Sequence, residues 1–249
     1  NDGEIPQLPA GNLVMVNTTA GGIDCASLKM VDLTGLAEVA PTDPEPEYVS
    51  INGLGETVVT LQENNHLVVV SGAGDVLNHF SAGSVDLDGI DATDERGALI
   101  FDESQNGRRR EPDAVTWIDE GDYKGGSRGW TIFNKDGTVV YDSGVDFEHA
   151  IIEIGHYPDK RSDAKGVEPE SVTFGEFDGT PYVFVGAERA SIVGVYDVTD
   201  PAAPVLTQLL PSGTGPEGYV TIPDRGLLVS ANESDLIEDG GARAQVMLF

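Results

Sequence analysis

Short runs of alternating apolar and polar residues dominate the sequence, and helical periodicity over longer stretches is nearly absent. The 31 glycines and 14 prolines divide the chain into short segments. This pattern predicts an all-β chain of short strands joined by turns. One helix is expected over 146–156, with Phe147, Ile151 and Ile154 on a shared face. The predicted strands are 12–16, 57–61, 67–70, 182–185, 192–196, 227–230 and 245–249.

Four copies of one phrase organise the predicted strands. Each copy begins with proline and an acidic residue and then alternates into a strand. In three copies a second strand follows, and a glutamate ends it 16 or 18 residues after the first acid. Repeats of this size and strand content are typical of β-propeller blades. The copies are PEYVSI at 46–51, PDAVTW at 112–117, PESVTF at 169–174 and PEGYVTI at 216–222.

The second copy lacks the expected second strand. After PDAVTWID the sequence continues directly into EGDYKGG, so Glu120 follows Asp113 by only 7 residues. We therefore expect a segment to be missing between Asp119 and Glu120. Because the chain also begins on a second strand and stops on a third, residues 1–249 are expected to form a single, incomplete β-propeller domain. It would contain about four recognisable blades and a partial one, as part of a seven- or eight-bladed ring with open sheet edges.

The repeated acids are the main candidates for a functional site. In a propeller the first strand of a blade crosses the disc and the second returns, so both acids of a blade should lie on one face, at the mouth of the central channel. Crowded carboxylates need cations or hydrogen-bond donors, and oxygen ligands without histidine or thiolate favour Ca²⁺, with Mg²⁺ as the second choice. The predicted metal ligands are Glu47, Glu63, Asp113, Glu120, Glu170, Glu188, Glu217 and Glu233.

A structural role for these acids is the alternative. Each carboxylate would then accept backbone N–H groups of the neighbouring blade and only join the blades together. Three cations lie close to the second acids and are expected either to balance them or to hold an anionic ligand. These candidate ligand-binding residues are Lys124, Arg128 and Arg189.

A second candidate calcium site lies in the acidic segment DLDGIDATDE at 86–95. Its composition resembles a calcium loop, although the spacing differs from that of an EF-hand, and a solvated acidic loop is the alternative. The candidate ligands are Asp86, Asp88, Asp91 and Asp94. His66 and His79 are interpreted as surface or blade-packing residues.

Composition restricts the partners. The chain has 43 acidic and 14 basic residues, and its formal charge of −29 repels nucleic acid and anionic membranes. No apolar run is long enough to predict a membrane span, and no signal peptide is visible. The single cysteine, Cys25, excludes an internal disulfide framework.

Four segments resemble bacterial choice-of-anchor I proteins. The resemblance implies a secreted, periplasmic or cell-surface β-propeller. Some members of that family continue into a domain described as a phytase-like esterase, and others are described as alkaline-phosphatase-like. The segments are PEPEYVSINGLGETVVTLQENNHLVVV, EGDYKGGSRGWTIFNKDGTVVYDSG, GVEPESVTFGEFDGTPYVFVGAERASIVGVYDV and the terminal ANESDLIEDGGARAQVMLF.

Three functions remain open at this point. The first is a non-catalytic interaction module that binds calcium and a ligand or protein partner through the acidic channel mouth. The second is a metal-dependent phosphoesterase, in which calcium binds phosphate and activates water. The third is a structural subunit of an extracellular assembly, joined to its partners through the open sheet edges.

Overall fold

The computed structural model describes residues 10–93, 99–118, 122–125 and 128–249, with the backbone alone for 122–125. These residues form six antiparallel sheets. Five of the sheets follow one another along the chain as a hairpin and four blades, and a separate hairpin lies between blades 1 and 2 in sequence.

The first hairpin pairs β1 (Asn12–Thr19) with β2 (Gly22–Asp32). Blade 1 contains β3 (Pro46–Ile51), β4 (Thr57–Leu61), β5 (His66–Val70) and β6 (Val76–Ser81). The separate hairpin pairs β7 (Ser84–Ile90) with β8 (Glu103–Arg109). Blade 2 contains β9 (Asp122–Gly125), β10 (Thr131–Asn134) and β11 (Val139–Asp142). Blade 3 contains β12 (Pro169–Phe177), β13 (Thr180–Ala187), β14 (Ile192–Asp197) and β15 (Val205–Pro211). Blade 4 contains β16 (Pro216–Ile222), β17 (Leu227–Asn232) and β18 (Gln245–Leu248).

The predicted strands are confirmed, and the predicted helix is shorter than expected. Helix α1 covers Asp146–Glu153, and Phe147 and Ile151 are fully buried. Ile154 follows the helix as its C-cap and is exposed, so its expected place on the buried face is wrong. The reason is Gly155, whose φ of 76° lies in the left-handed region that ends helices.

The core consists of apolar layers between successive sheets. Every residue of β4 and β5 is buried, because alternate side chains of these strands face opposite neighbours. Val59 and Val68 pack with Val31 and Leu33 towards the first hairpin. The next layers join blade 1 to blade 2, blade 2 to blade 3 and blade 3 to blade 4. Sheets packed face to face in this way are the arrangement expected of propeller blades.

The second copy of the repeat departs from the prediction, because residues 111–117 form no strand. The segment is held by blade 1: the Thr60 hydroxyl donates to the carbonyl of Asp113 (2.7 Å), and Trp117 Nε1 donates to the carbonyl of Ser50 (3.1 Å). The four-residue strand β9 instead pairs with β10. The segment expected to be missing between Asp119 and Glu120 lies outside the described residues.

Among the described residues, no helix combines the length and the apolar character that crossing a membrane requires.

Candidate functional site

The two acids of each complete blade lie at the same end of the sheet. In blades 1, 3 and 4 the proline that opens the first strand pairs with a residue one or two positions before the second acid. The register then shifts, so the first acid occupies a β-bulge, a device that redirects a side chain at a functional site. The paired residues are Pro46 with Leu61, Pro169 with Ala187, and Pro216 with Asn232.

Carboxylates from successive blades meet at this end of the structure. Each of two groups offers three oxygens that lie within 4.8 Å of one another: Glu168, Glu170 and Glu188 form one, and Glu188, Glu217 and Glu233 form the other. Glu188 belongs to both groups and is only 3% exposed. We call the acidic face the set Glu47, Glu63, Asp113, Glu168, Glu170, Glu188, Glu217 and Glu233.

Mutual repulsion links the acidic face across blades. Burial, followed by the charges of Glu63 and Asp113, raises the pKa of Glu47. Partial desolvation of its largely exposed side chain, followed by the charges of Glu188, Glu233 and Asp113, likewise raises the pKa of Glu217. Seven of the eight predicted metal ligands therefore act on one another, and the eighth, Glu120, lies outside the described residues.

Glu168 is a buried carboxylate that forms ion pairs with three basic side chains. Its Oε2 accepts hydrogen bonds from Arg161 Nη2 (2.7 Å) and Arg189 Nε (2.8 Å), and Lys165 Nζ lies 3.6 Å from its Oε1. Burial acts to raise the pKa of Glu168, but the hydrogen bond from Arg189 and the charges of Arg161 and Lys165 leave it below its usual range. Arg189 also binds Glu188 Oε1 (2.7 Å), so this predicted residue does lie at the acidic face.

Glu170 and Glu188 lie side by side in the first carboxylate group. Burial raises the pKa of Glu170 far above its usual range, and the hydrogen bond to Glu188 and the charge of Glu188 add to this effect. Glu188 Oε2 is buried and accepts no hydrogen bond from an N–H or hydroxyl group in the described part of the chain. This oxygen therefore requires either the proton of Glu170 or a cation.

Glu168 was not among the predicted metal ligands, although the repeat contains a feature that includes it. Glutamate precedes the proline in three copies, as Glu45, Glu111 and Glu168, and Gly215 replaces it in the fourth. Glu111, Glu168 and Gly215 all have positive φ, with values of 44°, 53° and 68°. In two of the three E-P-acid triplets the glutamate thus has a left-handed conformation, and in blade 3 this conformation brings Glu168 to the site.

Arg128 is not at the acidic face, contrary to the prediction. Its guanidinium is 2% exposed and forms an ion pair with Glu148 of helix α1 (3.0 Å), and it also donates to the carbonyl of Ser162. Because these partners use the guanidinium inside the core, it is not available to an exterior ligand. The side chains of Lys124 and Glu120 lie outside the described residues.

The described acids of the second predicted calcium site lie in strand β7 and directly after it. Asp86 and Asp88 belong to strand β7, and Asp91 is fully buried at its end. The carboxylate of Asp91 accepts hydrogen bonds from the backbone amides of Thr93 and Ile100, both at 3.1 Å. These amides already compensate part of the charge of Asp91, and calcium binding by these aspartates stays a prediction. Asp94 lies outside the described residues.

Two hydroxyl groups link blades 3 and 4, and among the repeated acids Asp113 accepts a hydrogen bond from Gln62 Nε2 of blade 1 (3.1 Å). The Ser171 hydroxyl donates to the carbonyl of Pro216 (3.1 Å), and the Thr221 hydroxyl donates to the carbonyl of Phe174 (2.8 Å). Within the described residues, no backbone N–H donates to a carboxylate of the acidic face. The structure therefore does not support the alternative that these acids only join the blades.

The antiparallel sheets and the layers between them define a β-propeller protein. Residues 119–201 match the family model of the choice-of-anchor I domain, which confirms the resemblance over that part of the chain. No sequence among the curated proteins matches the chain.

Solved structures support the same fold. Hydrazine synthase of Kuenenia stuttgartiensis is 13% identical with a TM-score of 0.51, over 83% of this chain and 46% of its own. A putative 6-phosphogluconolactonase from Bacteroides uniformis is 12% identical with a TM-score of 0.50, over 89% and 58%. A protein from Lactobacillus plantarum is 15% identical with a TM-score of 0.50, over 96% and 64%. At these identities the likeness extends to the fold alone, and the chain spans between about half and two thirds of each structure.

Proposed function

We propose that this propeller is a non-catalytic surface module that binds Ca²⁺ at its acidic face and uses the ion to hold a ligand or protein partner. The observation that carries the proposal is the group Glu188, Glu217 and Glu233, whose oxygens from two adjacent blades lie within 4.8 Å of one another. The match to the choice-of-anchor I domain supports a location outside the cytoplasm, whether secreted, periplasmic or at the cell surface.

Charge compensation distinguishes the two carboxylate groups. Arg161, Lys165 and Arg189 surround Glu168 in the first group, and burial raises the pKa of Glu170, which favours its neutral form. In the second group Glu217 and Glu233 are exposed and form no ion pair among the described residues. A divalent cation would relieve the repulsion that raises the pKa of Glu217, so we assign the ion to this second group.

The ligand count favours an ion that is shared with a partner. Calcium takes about 6–8 oxygen ligands, and three carboxylates leave several positions for water or for oxygens of a second molecule. Such a site has the moderate affinity of extracellular calcium modules, in which the ion is abundant and a strong cage is unnecessary.

Calorimetric titration with Ca²⁺ tests the proposal. Glu217→Gln and Glu233→Gln should each weaken calcium binding at least about tenfold, since each removes one of three charged ligands. Glu176→Gln is the matched control, because Glu176 is an exposed glutamate at the opposite end of β12 from Glu170. Equal calcium affinity in Glu217→Gln, Glu233→Gln and Glu176→Gln, or no calcium binding by the unaltered chain, would contradict the proposal.

A metal-dependent phosphoesterase is the second candidate, and the three cations around Glu168 favour it. The side chains of Arg161, Lys165 and Arg189 are 33–42% exposed, so they can contact an anionic group while they bind Glu168. A generic phosphomonoester assayed with and without calcium separates the candidates, with Glu170→Gln and Glu188→Gln as variants. Calcium-dependent turnover that both variants abolish would establish the enzyme, whereas calcium binding without turnover would exclude it.

A further inference from the structure

Two histidines join the outer strands of blade 1. His66 is the first residue of β5, and His79 lies on the edge strand β6. The register sets His66 opposite Ser81 and His79 opposite Val68, so the histidines are diagonal neighbours on one face of the sheet. Nε2 of His66 lies 3.0 Å from Nδ1 of His79, and the ring centroids are 5.3 Å apart.

The two rings differ in exposure. His66 is 3% exposed, whereas His79 is exposed on the outer strand. Burial, followed by the proximity of His79, lowers the pKa of His66 to about 4. The buried ring is therefore neutral, and neutral imidazole is the form that binds metal ions.

We propose that His66 and His79 form a two-nitrogen site for a divalent transition-metal ion, with Cu²⁺ favoured and Ni²⁺ second. This site is separate from the proposed calcium site and goes beyond the proposed function. Imidazole suits these ions, and Cu²⁺ binds nitrogen ligands most strongly in the divalent series. The hard carboxylate ligands of the acidic face favour calcium, so the two sites select different ions.

The spacing of the two nitrogens fits such an ion. Metal–imidazole bonds of about 2.0–2.1 Å place two nitrogens about 2.9 Å apart at a right angle and about 3.3 Å apart at a tetrahedral angle. The observed 3.0 Å is close to the right-angled arrangement, which square-planar Cu²⁺ and Ni²⁺ adopt. Ion binding would replace the N–H···N hydrogen bond with two metal–nitrogen bonds, after both rings turn so that their nitrogen lone pairs point at the ion and no longer along the line between the rings.

The protons of both rings can be accommodated. When the ion binds, each neutral ring carries its one proton on the nitrogen that faces away, namely Nδ1 of His66 and Nε2 of His79, so the ring that donates the N–H···N hydrogen bond first moves its proton to the far nitrogen through solvent. Nδ1 of His66 has no hydrogen-bond partner among the described residues. A metal-bound histidine usually donates this proton to an acceptor, and that hydrogen bond strengthens metal binding. Because Nδ1 of His66 has no such acceptor among the described residues, we expect only micromolar affinity. Water supplies the other ligands, since no third imidazole, thiol or carboxylate of the described chain groups with this pair.

Electron paramagnetic resonance with one equivalent of Cu²⁺ tests the proposal. Excess Ca²⁺ is included so that the acidic carboxylates are occupied, and the spectrum reports how many nitrogens bind copper. The unaltered chain should give a two-nitrogen spectrum. His79→Gln should lose one nitrogen and weaken copper binding at least about tenfold, because one ligand remains.

His156→Gln is the matched control, since His156 is also exposed but lies beyond helix α1, with its ring against the carbonyl of Ala190. It should keep the two-nitrogen spectrum. His66→Gln should also lose one nitrogen, and its thermal melt shows whether the buried substitution preserves the fold. An oxygen-only spectrum from the unaltered chain, or identical copper binding by His79→Gln and His156→Gln, would overturn the proposal. Because calcium affinity at the acidic face is measured separately, failure here is distinguishable from failure of the proposed function.

Discussion

At the scale of single residues, the buried charge on Arg128 has the largest expected effect on stability. Arg128 and Glu148 are 2% and 0% exposed, and their ion pair ties the segment before β10 to helix α1. Loss of either partner leaves an unpaired charge in the core, where solvation cannot compensate it. Nothing in the sequence distinguished this arginine from the surface cations, because its partner lies 20 residues away.

Arg128→Met or Glu148→Gln should therefore lower the free energy of unfolding by about 3–5 kcal/mol. The double variant Arg128→Met/Glu148→Leu should recover much of this loss, since neither charge is then buried alone. Urea denaturation measures all three, and Arg243→Gln, from an exposed ion pair with Asp235, should change stability by less than about 1 kcal/mol. Similar effects at Arg128 and Arg243 would contradict this account.

Glu170 gives the chain an unusual dependence on pH. The pKa of Glu170 in the folded chain is raised well above its value in the unfolded chain. At a pH between these two pKa values, the folded chain therefore holds one proton more than the unfolded chain. Stability from this group is therefore present at acidic pH and is lost as pH rises through neutral towards the folded pKa.

Glu170→Gln mimics the protonated side chain and should remove this loss. In calcium-free buffer, the fall in melting temperature from pH 5 to pH 9 should be smaller for the variant than for the unaltered chain. Glu176→Gln, at the exposed end of the same strand, should follow the unaltered chain. Parallel curves for Glu170→Gln and the unaltered chain would show that Glu170 is ionised throughout this range.

At the scale of elements, close approach of blades 3 and 4 depends on a glycine in β13. A Cβ atom on Gly186 would overlap the Ser171 hydroxyl and the Tyr219 ring, which belong to β12 and β16. Ser171 also supplies a hydrogen bond to the next blade, so the glycine and the hydroxyl together set the spacing of the two sheets.

Gly186→Val should consequently destabilise the chain by about 1–3 kcal/mol through overpacking. Gly53→Ala is the control, because no atom lies within 4 Å of the added methyl group and its φ is not positive. Its effect should stay within about 0.5 kcal/mol in either direction. Thermal or urea unfolding of the two variants provides the measurement, and equal stability would contradict the role of Gly186.

The strands were predictable from sequence where local pattern and tertiary packing agree. β4 and β5 are apolar runs bounded by polar turns, and they are buried on both sides. Residues 112–117 carry the same alternation but form no strand, and hydrogen bonds to blade 1 hold this segment instead. The acids of the repeat were found because each blade places them alike, whereas Arg161 and Lys165 lie seven and three residues before Glu168 and are not part of the repeat.

At the scale of the whole molecule, the two terminal sheets each have an exposed apolar face. Val14 and Met30 are opposite one another on the first hairpin, and both point away from the core face that contains Val31. In blade 4, Val220 and Leu248 are similarly exposed. Contiguous apolar surface of this kind favours contact with another sheet.

We expect this chain to self-associate through these faces in a salt-dependent way. The charge of −29 opposes contact between copies, and salt screens that repulsion. Sedimentation velocity should therefore show more association in 0.5 M than in about 0.05 M salt. Met30→Lys should reduce it, whereas Val139→Lys, at an exposed valine of blade 2, should not. Monomers at every salt concentration would contradict this expectation.

Because β4 and β5 are buried on both sides, a substitution in either strand also affects the stability of the neighbouring sheets. Each of these strands contributes to two apolar layers. A destabilising substitution in blade 1 therefore weakens its packing against both the first hairpin and blade 2. In the described part of the chain, the apolar layer of blade 4 is formed with blade 3. Blades 2 and 3 separate blade 4 from a substitution in blade 1. Cooperativity should therefore decay with distance along the row of sheets, as in a one-dimensional array of nearest-neighbour couplings. Amide hydrogen exchange after Val58→Ala should accelerate most in blades 1 and 2 and least in blade 4, so that one end of the protein can open while the carboxylates of the other end keep their arrangement.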